Sequence, residues 1–177
     1  MEQLESQNLL LSSLSKYYSI PSNIDKLATI IDNTSSLSLR LIDWYVTNYC
    51  KNNNVVYILP GKRYFNVYLN YRAQLKAFKK IQFDPFRRRE RITFCMPSSS
   101  SYKKKHINTT IGQLNFFRWA IENNVVSNIE KNLGELELEM IKNQRDVKSI
   151  LKGPSYDERS SIRNMTQFKG NTSITFS

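Results

Sequence analysis

A chain of 177 residues with 40% hydrophobic side chains, ten Tyr and nine Phe can bury a core, and its length suits one domain. Its 26 basic and 15 acidic residues leave a net charge of +11, while one histidine and two cysteines exclude a disulfide framework and a C-x-x-C metal centre. The acidic start Met1-Glu2-Gln3-Leu4-Glu5 is unlike a signal peptide, and no run approaches the roughly 18 apolar residues of a membrane span, so a reducing compartment or the inside of a particle is expected.

Residues 1–19 read as a short amphipathic helix with Leu4, Leu11, Leu14 and Tyr18 on one side. Such a helix is marginal alone and must either dock or fray. Pro21 breaks it, and Ser22 can cap a second helix running to Ile31, with Ile24, Leu27, Ala28 and Ile31 inward. A polar loop over 32–36 follows. Ser36 then caps a helix in which Leu37, Leu41, Trp44, Tyr45 and Asn48 share a face. Val55 to Leu59 is a β-branched and aromatic run, hence a strand, and Pro60-Gly61 turns the chain.

Tyr64 to Lys80 reads as a helix, because Tyr64, Tyr68, Tyr71, Leu75 and Phe78 recur at helical spacing and form a stripe for the core. Arg72, Lys76, Lys79 and Lys80 fall on one flank as a basic ridge. Asp84-Pro85 stops the helix. Next comes Arg87-Arg88-Arg89-Glu90-Arg91, whose guanidiniums repel one another unless anions sit among them and whose planar donors match phosphate oxygens. Ile92 to Phe94 is a possible strand. Met96 to Asn108, with four serines and Lys103-Lys104-Lys105, reads as a loop.

Thr110 to Gln113 matches a capping box, with Gln113 reaching back to the cap. The helix it opens, the Asn123-Asn124 turn and a helix from Val125 have helix-turn-helix order. The second helix lacks the basic and amide side chains of a recognition helix. Val126, Ile129, Leu133, Leu136, Met140, Asn143, Val147 and Ile150 make a heptad seam that could join two copies or lie on the protein's own core. Gly153-Pro154 ends the folded part. Residues 155–177 are polar, with one strand-like segment, Ile174-Thr175-Phe176.

The charge is concentrated. Lys62 to Lys105 holds thirteen Lys and Arg against two acids, so the remainder of the chain is neutral overall. Aromatics are interleaved with these cations, which suits a polyanion that also offers flat faces. The expected contacts are Arg72, Lys76, Lys79, Lys80, Arg87, Arg88, Arg89, Arg91, Lys103, Lys104 and Lys105. DNA is a better candidate than RNA, and an acidic protein is the competing partner. No P-loop, dinucleotide fingerprint, nucleophile elbow or zinc-protease motif occurs, so no enzyme, metal or cofactor is expected. His106, Cys50 and Cys95 are too widely spaced for zinc. Asp43 could join Asp84 and Glu90 as a nuclease-type acidic cluster only if the fold brought them together.

Three stretches carry a resemblance: Leu39 to Tyr49; Phe65 to Leu69 continuing through Gln82 to Ile92; and Thr109 to Ile121. Over roughly residues 37–140 the chain resembles a family of small basic proteins of nucleocytoplasmic large DNA viruses, the giant-virus group. That resemblance supplies no catalytic residues. It implies a viral context, a virion or a virus factory in the host cytoplasm, where packaged DNA and capsid or core proteins are the abundant partners. The expected fold is mainly α with a small β element. An N-terminal arm (1–36), a helical core domain (37–152) and a polar tail (153–177) would make up the chain. The expected role is largely sequence-independent nucleic-acid binding in genome packaging or expression. The competing role is a virion structural or adaptor protein, such as a minor capsid component.

Overall fold

The computed structural model describes residues 2–86, 91–95, 100 and 106–152, apart from the side chains of residues 2–4, 6, 79 and 148–152. The fold is mainly α-helical with two small antiparallel β ribbons. The chain divides into two units, Met1–Ile141 and Lys142–Ser177.

In the first unit, α1 (Glu2–Tyr18) docks. Leu14 and Tyr18 are fully buried, and the Tyr18 hydroxyl donates to the Leu114 carbonyl at 2.7 Å. Helix α2 (Pro21–Ile31) begins on the proline itself. At that position a missing N–H costs nothing and the fixed φ is already helical, so Ser22 is not needed as a cap. Ile24, Leu27, Ala28 and Ile30 are its buried residues, and the expected Ile31 is half-buried against the same core. These side chains belong to the same buried cluster as those of later helices. The first compact unit includes α1 and α2 and runs to Ile141.

Helix α3 (Leu39–Trp44) is capped by Ser38, not Ser36: the Ser38 hydroxyl oxygen accepts from the Leu41 N–H at 3.1 Å. It passes into a π-helical stretch, Tyr45–Tyr49, and a closing α turn, α4 (Cys50–Asn52). The Tyr45 and Tyr49 rings stack 5.4 Å apart, and the Tyr45 hydroxyl donates to Asn128 at 2.9 Å. Burial pushes the Cys50 thiol up to about 12, so it packs as a neutral group.

Strands β1 (Val56–Leu59) and β2 (Arg63–Asn66) form a hairpin, with Ile58 opposite Tyr64 and Leu59 opposite Arg63. The connecting turn holds Gly61 at φ 83° and Lys62 at φ 58°. Tyr64 is thus in a strand, a correction to the helix expected from residue 64. The helix α5 (Val67–Phe83) starts three residues later, where the Asn66 side chain accepts from the Leu69 N–H at 2.9 Å. Tyr64 and Tyr68 are four apart, a spacing that fits a strand face as well as a helix face, so periodicity alone could not separate them.

Strands β3 (Ile92–Cys95) and β4 (His106–Thr109) pair antiparallel, with Ile92 opposite Thr109 and Cys95 opposite His106. Residues 106–108 were expected in a loop. Ile107 is their one apolar side chain, and it is the pairing with β3 that makes the strand. Helices α6 (Ile111–Glu122), α7 (Val125–Lys131) and α8 (Leu133–Lys152) follow. The expected seam is not one helix, since α7 and α8 separate at Asn132. Val126, Ile129 and Leu136 are buried in the first unit's own core, with Leu133 and Met140 packed against it.

Between α5 and α6 that core holds a four-ring cluster. Tyr71 and Phe83 of α5 and Phe116 and Trp119 of α6 lie with every pair of ring centres 5.7–6.1 Å apart. Such pairs contribute about 0.5–1.5 kcal/mol each beyond their buried area. The Trp119 indole N–H is satisfied by Asn70 at 2.7 Å.

Of the second unit, residues 142–152 are described, and they are helical. Val147 is exposed. Ile174 to Phe176 lie outside the described residues. Among the described residues no helix is long and apolar enough to cross a membrane.

Candidate nucleic-acid interface

Helix α5 has two unlike faces. Val67, Tyr71 and Phe83 are buried, and Tyr68, Leu75 and Phe78 pack partly against the core. On the other side Leu69, Arg72, Ala73, Lys76, Ala77 and Lys80 are exposed. Arg72, Lys76 and Lys80 are four residues apart, so they rise about 6 Å per step along one side. Ala73 and Ala77 sit beside them and keep the ridge low. No ion pair engages these three cations among the described residues.

A groove of about 710 Å³ runs along this ridge, lined by Tyr68, Tyr71, Arg72, Lys76, Lys80 and Asp84 among others. The Lys51 ammonium lies 6.0 Å from the centre of the Tyr68 ring, bringing a fourth cation toward it. A second groove, of about 330 Å³, is lined by the four β2 residues Arg63 to Asn66 and by Leu69, Asn70 and Ala73. Ala73 borders both grooves, so the hairpin and the basic ridge share one continuous surface.

The expected contacts divide into three groups. Arg72, Lys76 and Lys80 come together on the ridge. Arg91 is exposed just ahead of β3 and does not line the groove. Arg87, Arg88, Arg89, Lys103, Lys104 and Lys105 lie outside the described residues, as does the Lys79 side chain. Sequence reasoning omitted Lys62 and Arg63 from the contacts and placed Tyr64 in the core. All three are exposed beside the second groove or in its turn. The available signal was the Pro60-Gly61 turn, which invites a returning strand before any helix.

The C-terminal end of α5 is fixed by α6. The Asn115 amide donates to the Gln82 carbonyl at 3.0 Å, and the Gln113 amide donates to the Pro85 carbonyl at 3.2 Å. Gln113 therefore makes only half of the expected capping box. Its N–H is accepted by Thr110 at 3.1 Å, but its side chain turns to Pro85 and to the Thr109 hydroxyl. Gly112 allows the close approach, because a Cβ there would stand 2.8 Å from the Asp84 carbonyl oxygen.

The fold also brings Asp43 to Asp84. Burial, then the Asp84 charge, pushes the Asp43 carboxyl up to about 6. The Tyr71 hydroxyl is raised by burial and by the same two carboxylates. Glu90 lies outside the described residues, and no group of three or more metal-ligating side chains occurs among the described ones. The pair is a local acidic spot at the end of a basic ridge.

The model of the family of unknown function DUF7197 matches residues 3–175. Uncharacterized protein L507 of Acanthamoeba polyphaga mimivirus is 38% identical over 114 residues, covering 63% of this chain and 44% of that protein. The chain thus matches less than half the length of this relative. No solved structure matches. The chain belongs to the DUF7197 family and has a relative in a giant virus, as the resemblance of its three stretches implied.

Proposed function

We propose that this DUF7197 family member is a non-enzymatic viral nucleic-acid-binding protein that holds phosphates through the outer face of α5, in genome packaging or expression. The observation that carries the reading is the row Arg72, Lys76, Lys80 on the solvent side of a helix whose other side is locked into an aromatic core. A rigid helix presents the cations at fixed spacing, and none is spent on a carboxylate among the described residues. The low Ala73 and Ala77 positions let a backbone approach the cations closely. Phosphate contacts of this kind give affinity without reading sequence. The giant-virus relative supports the viral setting, with DNA as the first ligand to try.

The test is binding of labelled DNA and RNA to the full chain at increasing salt, with light scattering of the protein alone beside it. Submicromolar binding that weakens steeply with salt is expected. No binding at moderate salt, together with a discrete oligomer in the scattering, would overturn the reading in favour of a virion structural component.

A further inference from the structure

The outer face of the β1–β2 hairpin is apolar and uncovered. Val56, Ile58 and Tyr64 point to it, being alternate residues of two paired strands, and they are 46%, 60% and 77% exposed. Leu69, at the start of α5, is 63% exposed and lines the groove beside Tyr64. A tyrosine ring this bare has given up most of the burial that normally stabilises an aromatic side chain. The two residues before it, Lys62 and Arg63, are both exposed. The groove at Tyr64 meets the groove of Arg72, Lys76 and Lys80 at Ala73. From Leu69 to Lys80 the helix covers about 17 Å, enough for a backbone to touch several of the cations in turn.

We propose that the hairpin is the base-stacking half of this interface and that its ligand is single-stranded nucleic acid. An unpaired base lies on Tyr64 and Ile58, while its backbone follows Arg72, Lys76 and Lys80. The proposal rests on the nucleic-acid reading above and adds the substrate class. The surface joins a flat apolar platform to a row of cations. A duplex answers only the second part, because its base faces are stacked inside. An acidic protein answers the charge but offers no flat faces in register with it. A single strand offers both, and stacking on aromatic side chains with cations along the backbone is how such strands are held without sequence preference.

The test uses the full chain and one labelled oligonucleotide, free or annealed to its complement, in DNA and RNA forms. The proteins are wild type, Tyr64→Ala, Tyr64→Phe and the double variant Arg72→Ala/Lys76→Ala. Wild type should prefer the single strand. Tyr64→Ala should weaken single-strand binding roughly tenfold, the scale of one lost stacking contact, and leave duplex binding unchanged. Tyr64→Phe should restore it, and the double variant should weaken both forms. Equal or tighter duplex binding, or no effect of Tyr64→Ala on the single strand, would overturn the stacking role while the phosphate reading stood. If neither form binds to wild type, both readings fail. Matching melting temperatures of wild type and Tyr64→Ala show that a binding loss is not a folding loss.

Discussion

The two sides of α5 show how one helix can be both fixed and available. Toward α6, every polar group named above has a partner and the rings of Tyr71, Phe83, Phe116 and Trp119 touch in all combinations. Toward solvent, the same helix carries Arg72, Lys76 and Lys80 with no ion pair among the described residues, and beside them stands the bare ring of Tyr64. The inner side sets stability, and in the proposed function the outer side sets affinity. Changes to one should leave the other nearly untouched.

The sharpest way to break the inner side is Gly112→Ala. The new Cβ would meet the Asp84 carbonyl oxygen, a backbone atom, at 2.8 Å. Overpacking of this kind costs about 2–3 kcal/mol, to be read as a fall in the denaturation midpoint. Variant protein that remains folded should still bind, since the ridge itself is unaltered. Gly112→Ala with wild-type stability would show that the α5–α6 contact is looser than described.

Asp43 tests the junction of the two sides. Its folded pKa is raised from 3.8 to about 6, first by burial and then by Asp84. The folded state therefore binds its proton more tightly than the unfolded chain, and stability falls as pH rises between these two values. Each tenfold change in proton affinity is worth about 1.4 kcal/mol, less where water still screens the carboxyl, so the penalty at neutral pH is on the order of 2 kcal/mol. Asp43→Asn should remove it, raising the melting temperature at pH 7.5 and doing little at pH 4. An equal effect at both values would mean that the carboxyl is not desolvated.

A smaller effect is expected in the hairpin turn. Lys62 holds a left-handed φ of 58°, which is unfavourable for a residue with a Cβ. Lys62→Gly should stabilise by about 0.5–1 kcal/mol in thermal unfolding, net of the entropy that glycine adds to the unfolded chain. A loss of stability would show that the lysine side chain has a role in the fold.

The helices were legible where they bury one stripe. Leu14, Tyr18, Ile24, Leu27, Tyr71 and Leu114 follow the helical period, and all are buried. Strand β1 was legible from its β-branched run. Strands β2 and β4 were not, because Arg-Tyr-Phe-Asn and His-Ile-Asn-Thr carry weak alternation and gain their form from the partner strand. The basic ridge could be read from charge at helical spacing. The exposure of Tyr64 could not, since it depends on α5 starting at Val67 and on the hairpin leaving its outer face bare. The pairing of Asp43 with Asp84 joins residues far apart in the chain, and no local pattern encodes it. The heptad seam was legible as a stripe for the protein's own core, where Val126, Ile129 and Leu136 lie, but a repeat does not record a helix break, here at Asn132.

The central claim is that Arg72, Lys76 and Lys80 hold phosphates, and the most direct measurement is the salt dependence of binding for wild type and for the triple alanine variant. Each phosphate neutralised adds about −0.9 to the slope of log affinity against log salt on duplex DNA and about −0.7 on a single strand. The triple variant should lose roughly 2 to 3 units of that slope, in line with three removed contacts, and keep its melting temperature. An unchanged slope in a folded variant would contradict the account and place the phosphate contacts elsewhere on the chain.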